Sequence, residues 1–130
     1  PDLDLAEFQK VRTLPADLPP ETAGVALLAA IAEVNDALAD VVTYWNAKAC
    51  ERAADVPGAK MGDETQLTAQ YKKAVYARAK ADLLGEFATI GRRESHPGQE
   101  SQDTRASLLA EAANVMRNML RQPRVGVHLI

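Results

Sequence analysis

The sequence predicts an all-α protein, a small up-down helical bundle of one short and three long helices with an extended C-terminal arm. Three observations carry that reading. Apolar residues recur at spacings of three and four along most of the chain. Short capping patterns, an Asp followed three residues later by Glu or Gln, open the helical runs. Prolines and glycines gather at the few places where one run gives way to the next.

Asp4 and Glu7 form the first capping pattern, ahead of a short helix over 5–11 with Leu5 and Phe8 on one side. Pro15, Pro19 and Pro20 then force extended backbone. The first long helix is expected over 21–54. Pro20 is tolerated at its start and Glu21 suits the positive end of the helix dipole. Ile31, Val34, Leu38, Val41 and Trp45 make a coiled-coil-like seam, which Leu27, Leu28 and Val42 widen into a bundle face. Residues 55–63 read as a loop around Pro57-Gly58. Asp63 and Gln66 open a second helix over 64–90, apolar on two faces: Leu67, Tyr71, Ala74, Ala81 and Leu84 on one, Tyr76, Leu83, Phe87 and Ile90 on the other. A helix apolar on two sides sits centrally in a bundle or faces a second subunit. Gly91 ends it, 92–101 is a polar connection, and Ser101 caps a last helix over 102–121.

The bundle, residues 1–121, thus forms one unit and residues 122–130 another. Pro123 stops the helical pattern, and Val125, Val127 and Leu129 then alternate with Gly126, His128 and Ile130 at the period of a strand. A lone strand has no sheet of its own to satisfy its backbone, so the arm is expected to dock on another chain. Its candidate partner-binding residues are Arg121, Arg124, Val125, Gly126, Val127, Leu129 and Ile130. The arginines supply charge-assisted contacts and the valines and leucine supply anchors for pockets.

Composition narrows the function. The chain has 130 residues, 47% hydrophobic and 25% charged, with a net charge of −3, ordinary values for one globular domain. The negative balance, with no aromatic platform beside the scattered basic residues, argues against general nucleic-acid binding. No apolar run approaches the length of a membrane span, so no membrane partner is expected. Cys50 is the one cysteine, which points to a reducing compartment and to a small buried apolar side chain rather than a nucleophile. His96 and His128 stand apart from other soft ligands, and the glycines form no phosphate loop. Neither a metal, a cofactor nor an enzymatic activity is expected. The one carboxylate constellation is Glu33, Asp36 and Asp40, spaced to share a helix face. It reads first as a solvated surface; lining a channel traversed by DNA, where it would repel phosphate, is the sharper alternative.

Several stretches resemble one family in order and spacing. Pro1-Asp-Leu-Asp-Leu-Ala-Glu-Phe8, Ala30-Ile-Ala-Glu-Val-Asn-Asp-Ala-Leu-Ala39, Ala54-Asp-Val-Pro57 and Gly62-Asp-Glu-Thr65 are similar to successive elements of the head completion proteins of contractile-tailed temperate bacteriophages, the gpL family. Tyr71-Lys-Lys-Ala-Val-Tyr76 with Ala81-Asp-Leu83, and Gln122-Pro-Arg124 with a final Leu129-Ile130, continue the likeness. Residues 92–99 match no element, and Val125-Gly-Val-His128 stands where that family more often has polar β-branched residues. The resemblance implies a non-enzymatic virion protein of the head–tail neck, assembled in the host cytoplasm. It implies binding below the portal protein after packaging, in a dodecameric ring that seals the head, lets DNA pass and offers a platform to a tail-side neck or terminator protein. From residues alone, a non-viral helical interaction or regulatory module acting through oligomerisation stays open beside it.

Overall fold

The structure, a computed structural model, describes residues 3–14, 18–90 and 105–128, with side chains described over 3–14, 18–84 and 105–121. It is helical, as expected. Helices α1 (Leu5–Val11), α2 (Pro20–Ala37) and α3 (Ala39–Ala47) lead to a 3-10 turn, Ala53–Asp55. A two-residue-per-strand hairpin follows, β1 (Lys60–Met61) and β2 (Glu64–Thr65), then α4 (Gln66–Ile90) and α5 (Arg105–His128).

Helix α1 lies where the sequence places it. The Asp4 carboxylate accepts from the Ala6 amide at 2.9 Å and caps the first turn. Glu7 does not close the capping box; it is drawn to α4 instead. The helix ends in a Schellman motif. Leu14 N–H reaches the Gln9 carbonyl at 3.0 Å and Thr13 N–H the Lys10 carbonyl at 3.4 Å, with Thr13 at φ 54°.

The long helix expected over 21–54 is two helices. At Leu38 (φ −101°, ψ 16°) the backbone leaves α-geometry for one residue, and Val41 N–H turns back only three residues, to the Leu38 carbonyl at 3.0 Å. No proline or glycine marks the site. The bend keeps the apolar seam on the core along both halves: Val34, Leu38, Val41 and Trp45 are buried and Ile31 packs beside them. Leu28 and Val42 do not widen that face; both are exposed, at 68% and 54%. Helix α3 then stops at Ala47, short of residue 54, in a second Schellman motif. Cys50 N–H donates to the Trp45 carbonyl at 2.9 Å, Ala49 N–H to the Asn46 carbonyl at 3.0 Å, and Ala49 holds φ 65°. Satisfying the helix-end carbonyls outweighs the left-handed strain of a non-glycine residue there.

The stretch 55–63 is more ordered than a plain loop. Gly62, at φ 63°, supplies the positive φ that tight hairpin turns need, and Lys60 pairs with Thr65 and Met61 with Glu64. Thr65, not Asp63, caps α4. Its hydroxyl accepts from the Thr68 amide at 3.2 Å and donates to the Ala53 carbonyl at 2.8 Å, tying the hairpin to the 3-10 turn.

Helix α4 is central, as its two apolar faces predict. Tyr71, Ala74, Val75, Tyr76, Ala77, Ala79, Ala81 and Leu83 are all buried. Phe8 of α1 stacks on Tyr76 with ring centroids 5.3 Å apart. Helix α5 packs Leu108 and Ala112 on Ala77 and Ala81, and Val115 and Met119 on the larger core. Of the last helix expected over 102–121, residues 102–104 and the Ser101 cap lie outside the described residues. Its far end corrects the sequence reading: 122–128 are helical, not extended, with Pro123 inside the helix. Proline removes one hydrogen bond, to the carbonyl four residues back, but each later residue through His128 regains one. Two alternating valines with no strand to pair do not outweigh that. Leu129 and Ile130 lie outside the described residues.

A charged cluster fastens the elements around α4. Lys72 Nζ lies 2.9 Å from Glu64 Oε2 and 3.1 Å from Glu7 Oε1, and the buried Tyr76 hydroxyl donates to Glu7 at 3.0 Å. The Glu64 hydrogen bond foremost, with Glu7 adding to it, pushes the Lys72 pKa from 10.5 up to about 12 against some desolvation. Burial foremost, then the Glu7 contact, pushes Tyr76 from 10.0 up to about 12.

Three outcomes follow for stability. Leu38→Ala should cost about 2–5 kcal/mol in denaturant unfolding, because Leu38 is 3% exposed within the main core. Ala49→Gly, at an exposed position with φ 65°, should stabilise by about 1 kcal/mol. Both raised pKa values favour the protonated forms, so the stability they contribute is complete below the ordinary values and is lost as pH rises. Unfolding free energy should therefore fall between about pH 10 and pH 12, and Tyr76→Phe or Lys72→Met should flatten that fall.

Candidate interaction surfaces

Among the described residues no group of three or more His, Cys, Asp or Glu is placed to hold a metal, and no helix is long and apolar enough to cross a membrane. What the bundle presents is surface.

The three carboxylates of the sequence reading are all exposed but have different surroundings. Glu33 is ion-paired with Arg78 of α4 at the bundle surface, which offsets its charge there. Asp36, in the last turn of α2, and Asp40, in the first turn of α3, are exposed on either side of the break at Leu38. The helix dipole favours Asp40 and disfavours Asp36, which makes Asp36 the carboxylate with the least local reason to be there. Arg121 is exposed on α5. Arg124, Val125, Gly126 and Val127 belong to its last turns by backbone, and their side chains, like Leu129 and Ile130, lie outside what is described.

The sequence reading missed a groove. A cavity of about 600 Å³ opens between the α2–α3 side and the α4–α5 side, at the end of the bundle where α4 begins. Leu38, Val41 and Trp45 form one wall, Leu67, Tyr71 and Met119 the other, and the exposed Val42 stands at its lip. Tyr71 Oη donates to Asn35 Oδ1 at 2.6 Å across it, and burial pushes the Tyr71 pKa up despite that bond. Cys50 also lines the groove. It is half-buried rather than buried, its Sγ 3.6 Å from the Asp55 carbonyl. No periodicity announces this feature, because it arises from the early end of α3, which follows from a left-handed alanine.

Other apolar side chains stand in water. Val25 and Leu28 are each 68% exposed on α2, and Met61, at the hairpin turn, is 84% exposed. Scattered singly these would need no explanation. Together with the groove they leave several apolar contacts unmade by the bundle itself, as in a subunit that packs against other chains.

Comparison with known proteins agrees with a subunit of that kind. A protein from Haemophilus phage HP1 (strain HP1c1), named probable head completion/stabilization protein, is 39% identical over 129 residues, which is 99% of this chain and 86% of the relative. No solved structure matches the chain. The family described as phage head completion protein (GPL) matches over residues 1–130. With that match along its whole length and a relative alike over nearly all of it, the chain belongs to the phage head completion protein (GPL) family.

Proposed function

We propose that this protein is a non-enzymatic component of the phage particle that completes and stabilises the filled head. It binds below the portal protein after packaging, seals the vertex and gives the tail-side neck or terminator protein its platform. Membership of the head completion family carries the reading. The uncovered apolar groove and the exposed Val25, Leu28, Val42 and Met61 support it, since they are surface a subunit reserves for neighbours.

In this reading the copies form a closed ring, taken as dodecameric from the family likeness. A ring needs two different complementary surfaces per subunit. The C-terminal residues Arg121, Arg124, Val125, Gly126, Val127, Leu129 and Ile130 serve as one of them, the first five carried by the last turns of α5 rather than by a strand. DNA passes through without sequence recognition. Asp36 and Asp40 are the carboxylates proposed to face it, because Glu33 is held by Arg78.

Purified protein added to packaged heads that lack it should make their DNA resistant to nuclease and the heads competent for tails. Protein lacking residues 124–130 should melt close to the full chain, since the core from Phe8 to Met119 is retained, yet fail to complete heads. Heads that are already sealed and tail-competent without this protein would sink the proposal.

A further inference from the structure

We propose that the outer face of α2 receives the outer face of α5 from a second copy of this chain, and that this contact repeats around the ring. The inference rests on the ring reading above. It extends the surface assigned there to the C-terminal residues down the part of α5 whose side chains are described.

Helix α2 carries more apolar surface than its own bundle covers. From Ala23 to Ala32 no side chain is polar or charged. A helix apolar on all sides belongs in an interior, yet α2 is buried along one side only. Opposite the buried Ala23, Ala30 and Val34, a stripe at helical spacing runs through Val25, Leu28, Ala32 and Asp36. All four are exposed, Val25 and Leu28 at 68% each.

Helix α5 presents the counterpart. Opposite its buried Leu108, Ala112 and Met119, the exposed Ala106, Ala110, Ala113, Arg117 and Arg121 follow one another at steps of three and four. The alanines leave room for Val25 and Leu28 to enter between them. Beyond them the arginines stand where α2 has Asp36.

Charge selects this pairing of faces. Helices α2 and α3 hold Glu21, Glu33, Asp36 and Asp40 and no lysine or arginine; Lys48 follows only past the end of α3. Glu33 is held by Arg78, and Asp82 of α4 adds an acid beside Val25. Helix α5 holds Arg105, Arg117, Arg121 and Arg124, and its one acid, Glu111, is paired with Arg12. The exposed Lys73 of α4, whose carbonyl the same Arg12 reaches, adds a further cation. Among the described residues neither Asp36, Arg117 nor Arg121 has an ion-pair partner in its own chain. Two α2 faces together would set acid against acid, and two α5 faces arginine against arginine. The unlike faces complement each other.

Height and direction agree. Val25 shares a recess with Leu83 near the end of α4, and Leu108 packs with Ala81 there. Toward the start of α4, Asn35 accepts from Tyr71, and Met119 lines the same groove as Tyr71. Helices α2 and α5 thus run parallel, each packed chiefly on α4, with Val25 near the level of Leu108 and Asn35 near that of Met119. The step from Val25 to Asp36 equals that from Ala106 to Arg117, about 16 Å at about 1.5 Å per residue. Rotation about a ring axis along the helices changes neither height nor direction, so the two faces meet in step. Asp36, disfavoured by its own helix dipole, gains a cation there, and of the two carboxylates proposed to face DNA Asp40 is left to the channel.

Cysteine pairs test the contact. In a Cys50→Ala background, Leu28→Cys and Ala110→Cys in one chain should, on oxidation, link copies into a ladder on completed heads or in concentrated purified protein. Either new cysteine alone should give no dimer. Adding Asp36→Lys should leave melting unchanged and cut the ladder at least about tenfold, because it sets like charge against Arg117, and adding Arg117→Asp as well should restore most of it. The contact is overturned by no ladder in either setting, by dimers from a single cysteine, or by closure of the two cysteines within one chain. A yield indifferent to D36K, or not recovered with R117D, overturns it equally. Sealing of heads by the wild-type protein is scored separately. Sealed heads without a ladder would remove this contact and leave the head-completion reading standing, whereas a ladder with unsealed heads would keep the contact and sink that reading.

Discussion

The constraint on which this bundle depends is the burial of α4 on nearly every side. Ala74, Ala77, Ala79 and Ala81 have no exposed surface, and that row of small side chains lets α2 and α5 approach closely. Close packing with little side-chain volume leaves a modest apolar contribution per residue. The same helix compensates with long cations between the alanines, each reaching to a different element. Lys72 takes Glu7 of α1 and Glu64 of the hairpin, Arg78 takes Glu33 of α2, and Lys80 donates to the Arg12 carbonyl at the end of α1. Arg12 returns the contact. It donates to Glu111 of α5 at 3.0 Å and to the Lys73 carbonyl at 3.3 Å, while its buried Nε has no partner. Ion pairs at or near the surface are individually worth about 1 kcal/mol or less. Arranged around one buried helix they fix which neighbour lies on which side, something featureless alanine surfaces cannot do.

Most of that framework was legible in the sequence. The periodicity of Val34, Leu38, Val41 and Trp45 identified core positions, the double apolar pattern of α4 identified the central helix, and Asp4 located the start of α1. These are facts about where side chains must point if an element exists at all, and they depend only on helical period. What was not legible depends on competition between near-equal local choices. Nothing in Thr13 or Ala49 announces a left-handed cap, since glycine is the residue that normally marks one. The bend at Leu38 has no proline or glycine to signal it either. It follows from wrapping two helical halves around α4 while keeping one seam buried. Glu7 and Asp63 both fit capping boxes in the sequence and neither closes one, because Lys72 and Tyr76 hold Glu7 and Thr65 lies closer to the true start of α4 than Asp63.

The C-terminal segment shows the same limit from the other side. Proline followed by alternating valines is a reasonable strand pattern, yet a strand needs a partner whereas a helix already under way needs only one tolerable defect. The sequence identified the segment as distinct in chemistry, with arginines then aliphatics, without fixing its conformation. For function the chemistry matters more than the conformation. The backbone of Val125 and Val127 lies in the last turns of α5, where the sequence pattern alone suggests a strand.

The surface not used inside the bundle connects these points to assembly. A core thin in aromatic side chains has apolar residues to spare, and the structure leaves Val25, Leu28, Val42 and Met61 in water rather than rearranging to cover them. They do not form one patch. Val25 and Leu28 lie on α2, Met61 projects from the hairpin, and Val42 marks the groove near the opposite end of the α2–α3 pair. Apolar contacts distributed over separate faces cannot all be satisfied by one isologous partner, because a two-fold interface uses a single self-complementary patch. They can be satisfied by distinct neighbours on different sides.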